Sequence, residues 1–345
     1  MRLQSKTILK ALLYVAVVAI VPSLSSAPFY RHVLIMVGLY SLMGVAWNMQ
    51  GGYTGLYSLG QSAFFGIGAY TSTMMLIKGG ISPWIGMLCG GVIAAAVSVA
   101  VAFPTSRLRG PYFTIASMAF ARTIQILFTN WDYVKGAIGL SLPLMGNTWT
   151  YMQFLSKIPY HIIIYSFLAV ALLVCYYIER SRTGYYFKAI RDSEEVAEAL
   201  GINTVKYRLI AAGLSGFFTA IAGTFYAQYV LYIDPESVLH HPLSVETVMV
   251  AAVGGAGTIW GPVLGAAILM PINLYARAWF GGAAKGIDLI LYGLILMIIA
   301  IAQPTGLMGL LQSLVKRSGK GGTSIGTTTD ASSAEPHDEV RGASR

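Results

Sequence analysis

Only two cysteines occur among 345 residues, Cys89 and Cys175, and both stand inside apolar segments. Two such residues frame no disulfide scaffold, and packing accounts for each. Charge is sparse as well: 11% of residues are Asp, Glu, Lys or Arg, against 56% that are hydrophobic. The mean hydropathy is +0.65, more apolar surface than a soluble domain of this length needs. Enzyme signatures are missing too, with no GxSxG, HExxH or CxxC in the chain. Gly319-Lys320 is followed by Gly321 instead of Ser or Thr, and the upstream glycine of a P-loop is absent. So no catalytic residue, no cofactor and no ATP site of that type are assigned. His240-His241-Pro242 is a loop pair without the further ligands that a metal site requires.

What the chain does have is long apolar runs. Crossing a bilayer takes roughly 20 residues at helical rise. Ten segments qualify, at about 8–26, 32–49, 56–77, 84–104, 111–130, 160–178, 209–231, 243–260, 262–280 and 287–304. Backbone groups in lipid must bond within their own segment, and continuous runs of this length fit helices better than barrel strands. The expected fold class is an all-α membrane protein, a polytopic bundle of about ten transmembrane helices.

The formal charge of +9 is distributed as a membrane pattern and not as a nucleic-acid footprint. Arg2, Lys6 and Lys10 precede the first segment, and Arg107 and Arg109 follow the fourth. Arg180, Arg182, Lys188, Arg191, Lys206 and Arg208 follow the sixth, and Lys316, Arg317 and Lys320 follow the last. With ten spans all four groups fall on one side, which assigns both termini to the cytoplasm. Arg31, Lys78, Lys135, Lys157 and Lys285 remain for the other side. The basic start, the apolar core 11–21 and the Ser25-Ser26-Ala27 that follows also suit a cleaved signal peptide, so a retained first helix and a removed one both stay open. Residues 1–317 read as one transmembrane domain. Residues 318–345, rich in Gly, Ser and Thr without apolar periodicity, read as a disordered cytoplasmic tail.

The densest charge lies in Glu179 to Arg208, between two apolar segments. This loop carries a short helix signature over about 193–200. Asp192 serves as N-cap with Glu195 three residues on, a capping box. Glu194 and Glu195 favour the positive end of the helix dipole. Val196 and Leu200 share a face, with Ala197 small beside them, while Glu194, Glu195 and Glu198 offer charge to a partner's rim. Gly201 supplies the stop, and Asn203-Thr204 can start the next helix. A short, capped, amphipathic helix of this kind suits docking onto a soluble partner.

Two stretches are rich in glycine at membrane depth. Asn48 to Tyr70, NMQGGYTGLYSLGQSAFFGIGAY, mixes six glycines with amide and hydroxyl side chains. Asn48, Tyr53, Ser58 and Gln61 are its candidates for a translocation pathway. Val253 to Ala266, VGGAGTIWGPVLGA, contributes Gly257 and Gly261; Gly257, Gly261 and Gly265 would share a drifting helical face that Pro262 bends or ends. Close helix packing and a broken helix lining a polar path are both open readings of such stretches. Arg122 sits in mid-segment, where a charge must face protein or water. It pairs between helices or attracts an anionic solute group. Glu246, Arg277 and Asp288 fall near segment ends and read as structural. Trp131, Tyr133, Trp149 and Tyr151 mark the loop 130–159 as an interfacial or entry cap.

The run SRTGYYFKAIRDSEEVAEALGINTVKYRLIAAGLSGFFTAIAGTFYA closely resembles the cytoplasmic loop and following helix of LivM-type permeases, membrane subunits of ABC importers for branched-chain amino acids. NMQGGYTGLYSLGQSAFFGIGAY and VGGAGTIWGPVLGA resemble the N- and C-terminal segments of that family, and the similarity covers most of 30–315. The chain departs from the family pattern at Gly184-Tyr185, where GR is common, and at Arg122, where many members carry an acidic residue. The resemblance implies a bacterial inner-membrane subunit paired with a second, LivH-type permease, two cytoplasmic ATPases and a periplasmic binding protein. It also implies a small polar solute, since relatives import amides, urea and carboxylates as well as amino acids. The loop helix, with Asp192, Glu194, Glu195, Val196, Ala197, Glu198, Leu200 and Gly201, is then the ATPase-coupling element. A self-contained ion-coupled transporter is the alternative, and it would require mid-membrane carboxylates, of which few exist. A passive channel would explain the glycines but leave the charged loop without a use.

Overall fold

The computed structural model describes residues 28–106, 108, 110–280 and the isolated positions 293, 294, 297, 307 and 308. The expected first span, almost all of the tenth, the tail 318–345, and Arg107, Arg109 and Asp288 lie outside the described residues. The elements are helical, in the order α1 (Pro28–Trp47), α2 (Gln61–Gly79), α3 (Pro83–Thr105), α4 (Pro111–Thr129), α5 (Lys157–Arg180), α6 (Arg182–Asp192), α7 (Glu194–Ala199), α8 (Thr204–Val230), α9 (Pro235–Val238), α10 (His241–Gly255) and α11 (Gly261–Phe280). A five-residue π-helical turn, Asn48–Gly52, prolongs α1. Two short strands, β1 (Leu140–Ser141) and β2 (Tyr232–Ile233), pair antiparallel with Leu140 opposite Ile233.

Eight of the ten apolar segments fall on described residues, and each coincides with a helix. Among the described residues, four helices are long and apolar enough to cross a membrane: Pro28–Gly52, Pro83–Thr105, Lys157–Arg180 and Thr204–Val230. The 15 residues of α10 rise about 22 Å, short of a full hydrocarbon core. Local chemistry sets the boundaries. Ser156, Ser181, Ser193 and Asn203 cap α5, α6, α7 and α8 with side-chain oxygens. Pro83, Pro111, Pro235, Pro242 and Pro262 lie in first turns, where the missing N–H is no loss.

α8 packs against α3, α2 and α1, and small residues let it approach closely. A Cβ at Gly68 would stand 2.1 Å from the Ala220 carbonyl oxygen, and one at Gly223 would stand 1.9 Å from that of Phe65. Thr224 Oγ1 donates to Gly68 O at 3.0 Å, and Ser98 Oγ to Ala212 O at 2.7 Å. Such contacts are how helices associate without a hydrophobic drive between them. Around α1, α5 and α8 the core closes with Tyr160, Ile164, Phe225 and Leu168.

The connections sort into two ends. At one end β1 meets β2, Lys157 Nζ donates to Pro28 O at 3.2 Å, and Trp84 Nε1 donates to Trp149 O at 2.8 Å. At the other, Arg191 reaches Gly52, Asn48 reaches Gly257, and Arg208 reaches Ser106. Six of the loop's basic residues, Arg180 to Arg208, therefore gather with the breaks at 48–60 and 256–260. The aromatic loop 130–159, with its short 3-10 turns, lies at the opposite end.

Candidate functional site

The two Gly-rich stretches meet. The chain turns out of α1 through the π turn, runs without helix from Gly55 to Gly60, and re-enters as α2. Gly55 lies in the left-handed region, at φ +75°, a conformation that a glycine adopts without cost. The second break runs from Ala256 to Trp260, between α10 and α11, with Gly257 at φ +82°. Across the two, the Gly257 N–H donates to Asn48 Oδ1 at 2.7 Å, and Asn48 Nδ2 donates to Thr258 O at 2.9 Å. One buried amide thus binds a donor and an acceptor of freed backbone, as a broken helix requires.

Several other polar groups of the first stretch also have partners, whereas Gln50 Oε1 and Tyr70 OH are buried without one. Gln61 receives a bond from Thr219 at 2.8 Å and donates to Ser215 at 3.1 Å, both on α8. Ser62 N and Oγ meet Ser244 Oγ of α10 at 2.9 and 3.0 Å. Ser58 Oγ accepts from Gly60 N, and its carbonyl accepts from Trp47 Nε1. Tyr53 is buried. Asn48, Gly257 and Gly261 are brought together, Gly261 through its N–H on Thr258 Oγ1 at 3.1 Å. Gln61 is joined to them only through the bundle, and Arg122 stands apart. Both sequence readings of the glycines apply, to different residues: 48–60 is a break, whereas Gly68 and Gly223 serve close packing.

Two details differ from expectation. Gly257 does not share a helical face with Gly261 and Gly265, because it lies in the break ahead of α11. Pro262 starts α11 instead of ending a helix, since its fixed φ and missing N–H suit a first turn.

Arg122 projects from the exposed side of α4, whose buried stripe is Phe113, Ser117, Ala121 and Gln125. Its Nη1 donates to Gln125 Oε1 at 2.6 Å, and Gln125 Nε2 donates to Glu236 Oε2 at 2.9 Å. The guanidinium is thus linked to a carboxylate of α9 by one amide. Glu246, near the start of α10, accepts from Tyr40 OH at 2.6 Å and pairs with Arg277 at 3.2 Å. These tie α1, α10 and α11 together beside a cavity of about 250 Å³ walled by Met36, Leu39, Phe65 and Leu243.

The charged loop is more structured than its sequence suggests. α6 follows α5 with only Ser181 between, and Ser193 separates α6 from α7. Ser193, not Asp192, is the N-cap of α7: its Oγ accepts from Val196 N, whereas Asp192 ends α6. Gly201, at φ +81°, closes α7, with its N–H on Glu198 O at 2.9 Å and Ile202 N on Ala197 O at 3.0 Å. Glu194 pairs with Arg208, whose Nη1 also donates to Ser106 O at 3.0 Å. Thr204 Oγ1 donates to Glu198 Oε1 at 2.7 Å. Two of the three glutamates read as a partner's rim are therefore spent on fixing α7 to the start of α8. α8 begins at Thr204, as the Asn203-Thr204 pair suggested, with Asn203 Oδ1 accepting from Lys206 N at 3.0 Å.

Val196 and Leu200 face outward, 57% and 74% exposed, but Ala197 is 1% exposed against its own chain. The small residue beside the apolar pair serves internal packing. Arg191, Thr258, Ser215, Thr219 and Ser244 escaped sequence reasoning as site residues; only the clustering of hydroxyl residues at helical spacing on α8 could have pointed to two of them.

A family profile described as the permease component of branched-chain amino acid transport systems matches residues 29–300. The chain is similar to the high-affinity branched-chain amino acid transport system permease protein LivM of Salmonella typhimurium, 26% identical over 81% of this chain and 70% of that one. It is similar also to LivH of Escherichia coli K12, 24% identical over 78% of this chain and 91% of that one. The nucleoside ABC transporter permease protein NupC of Lactococcus lactis is 25% identical over 55% of this chain and 63% of that one. No solved structure matches the chain significantly.

Proposed function

The chain belongs to the family of permease components of branched-chain amino acid transport systems, and on that premise we propose that it is one membrane-spanning subunit of an ABC importer. It moves a small polar solute, a branched-chain amino acid or a related amino acid, amide or carboxylate, with energy from two cytoplasmic ATPases. It pairs in the inner membrane with a second, LivH-type permease and takes solute from a periplasmic binding protein. Similarity to both LivM and LivH sequences supports the pairing, and the similarity to a nucleoside permease keeps the solute class broad. The basic end, with Arg180 to Arg208, lies in the cytoplasm by the positive-inside rule, and the loop 130–159 in the periplasm.

The observation that carries this reading is α7. Val196, on the six-residue α7, and Leu200, its C-cap, form an exposed apolar pair on an element held by Glu194–Arg208 and Glu198–Thr204. A braced apolar knob at the basic end is of use to a partner that docks there. Val196, Leu200 and Glu195 make the docking face, with Asp192 beside it, and Ala197 and Gly201 shape it from within. Asn48, Tyr53, Ser58, Gln61, Gly257 and Gly261 border the pathway at its cytoplasmic end, where the breaks can rearrange. Arg122 faces the space shared with the second permease, because a guanidinium exposed in mid-helix is costly in lipid, about 2.5–3.5 kcal/mol on insertion scales.

The test is to purify the complex with its ATPases and measure solute-stimulated ATP hydrolysis in vesicles, with uptake measured after the ATPase is inactivated. Uptake that stops supports the importer. Uptake that continues on an ion gradient refutes it.

A further inference from the structure

We propose that Arg191 is a positioning residue that links the docking element to the junction of the two broken segments, and so conveys movement of α7 to the pathway. The proposal rests on the importer reading above. Arg191 occupies the last turn of α6, two residues before Ser193, the cap of α7. Its Nη1 donates to the carbonyl of Gly52, the last residue of the π turn, at 3.3 Å. Its Cγ lies 3.4 Å from where a Cβ of Gly55 would be, and its Nη1 lies 2.5 Å from where a Cβ of Gly257 would be. The Arg191 side chain therefore lies along three glycines drawn from both Gly-rich stretches, its stem against Gly55 and its guanidinium against Gly52 and Gly257.

The chemistry of the slot suits a cation. The C-terminal end of a helix presents unpaired carbonyls and the negative end of its dipole, and basic side chains stabilise it. Gly52 O is such a carbonyl, at the end of the helix that begins at Pro28. Beside it Gly257 N is held by Asn48 Oδ1, and a Cβ at Gly52 would stand 2.6 Å from Gly257 N. Any shift of Arg191 thus meets both breaks at once. Asp192 Oδ1 lies 3.5 Å from Arg191 Nε, so the fork meets an acceptor on two sides, which a lysine's single ammonium does not reproduce.

The mechanical path is short. α7 is joined to α8 through Glu194–Arg208 and Glu198–Thr204, and it follows α6 directly after Ser193. A load on the Val196–Leu200 face tilts α7 about these anchors and draws on the end of α6. Arg191 is the side chain there that touches residues of both breaks.

The test uses the full importer in proteoliposomes, with Arg191→Gln and Arg191→Lys beside the unaltered protein. Solute moved per ATP hydrolysed, basal hydrolysis and the amount of ATPase retained on purification are all measured. Arg191→Gln is expected to assemble in normal amounts with near-normal basal hydrolysis, and to move about tenfold less solute per ATP, within the range of coupling between linked sites. Arg191→Lys, which keeps the charge, is expected to fall between. A normal ratio of solute to ATP in Arg191→Gln overturns the proposal. So does a merely lower yield of complex whose remaining fraction couples normally, because that marks a structural role. If the unaltered protein retains no ATPase, or transports without ATP, the importer reading itself fails and takes this proposal with it.

Discussion

The backbone N–H of Gly257 donates to Asn48 Oδ1 at 2.7 Å, across 209 residues of sequence. The same amide returns a bond to Thr258 O at 2.9 Å, so two interrupted helices share one side chain. Leaving a buried donor or acceptor unpaired costs about 1–3 kcal/mol each. We predict that Asn48→Ala lowers the thermal midpoint of the purified permease, because it leaves the Gly257 N–H and the Thr258 carbonyl without their partner. Equal midpoints for Asn48→Ala and the unaltered protein would contradict the junction.

Glycine at the α2–α8 crossing answers to a different constraint. Gly68→Leu places a Cβ against the Ala220 carbonyl and is expected to destabilise by about 1–3 kcal/mol or more, since backbone cannot yield as a side chain does. Gly80→Asn serves as the control. Gly80 has a positive φ, but nothing lies within 4 Å of its Cβ position, and Asn tolerates that conformation. The amount of folded protein recovered from membranes reads the contrast. Similar recovery for the two variants would show that the helices do not pack as described.

Arg122 separates two roles. If it faces the shared pathway and draws an anionic group, Arg122→Gln weakens transport of anionic and zwitterionic solutes by about tenfold, a lost charge-assisted bond, with assembly unchanged. If its link through Gln125 to Glu236 is structural, the same change reduces assembled complex. Initial rates with charged and neutral solutes, normalised to complex, discriminate the two. Unchanged rates at unchanged yield would exclude both roles.

Sidedness is open to direct labelling. A single cysteine placed near Trp149 should react with an impermeant thiol reagent from outside the cell, and one at Lys188 only after permeabilisation, in a background lacking Cys89 and Cys175. The two positions lie at opposite ends of the bundle, so reaction of both from outside would contradict the assignment of the basic end to the cytoplasm.

Much of this architecture was legible in the sequence. Hydropathy located every described long helix within a few residues, because a bilayer-length apolar run has few alternatives. The first break was legible at Gly51, Gly52 and Gly55, as an interruption of such runs, whereas the spacing of Gly257, Gly261 and Gly265 suggested a continuous helix where the second break lies. The charged loop was harder. α6 was missed because Arg182–Asp192 has no continuous apolar run and buries only Gly184, Phe187 and Ile190. Ala197 was placed on the partner's side because periodicity groups residues into faces but does not say which face meets the chain itself. Arg191 counted only as positive charge, since a contact with Gly52 and Gly257 depends on tertiary structure. The buried Ala197 also means that a bulky residue there would disturb the fold, so Ala197 is no probe of docking.

The central claim is that the Val196–Leu200 face of α7 joins this permease to its ATPase. The most direct test is co-purification of the assembled importer carrying Leu200→Asp, with solute-stimulated hydrolysis measured on what is recovered. Leu200 is exposed, so the change leaves the permease fold intact, and truncating or charging an interface anchor typically costs about 1–4 kcal/mol. The account predicts normal insertion of the permease with at least about tenfold less ATPase retained or stimulated. Normal retention together with normal stimulation would show that α7 is not the coupling element.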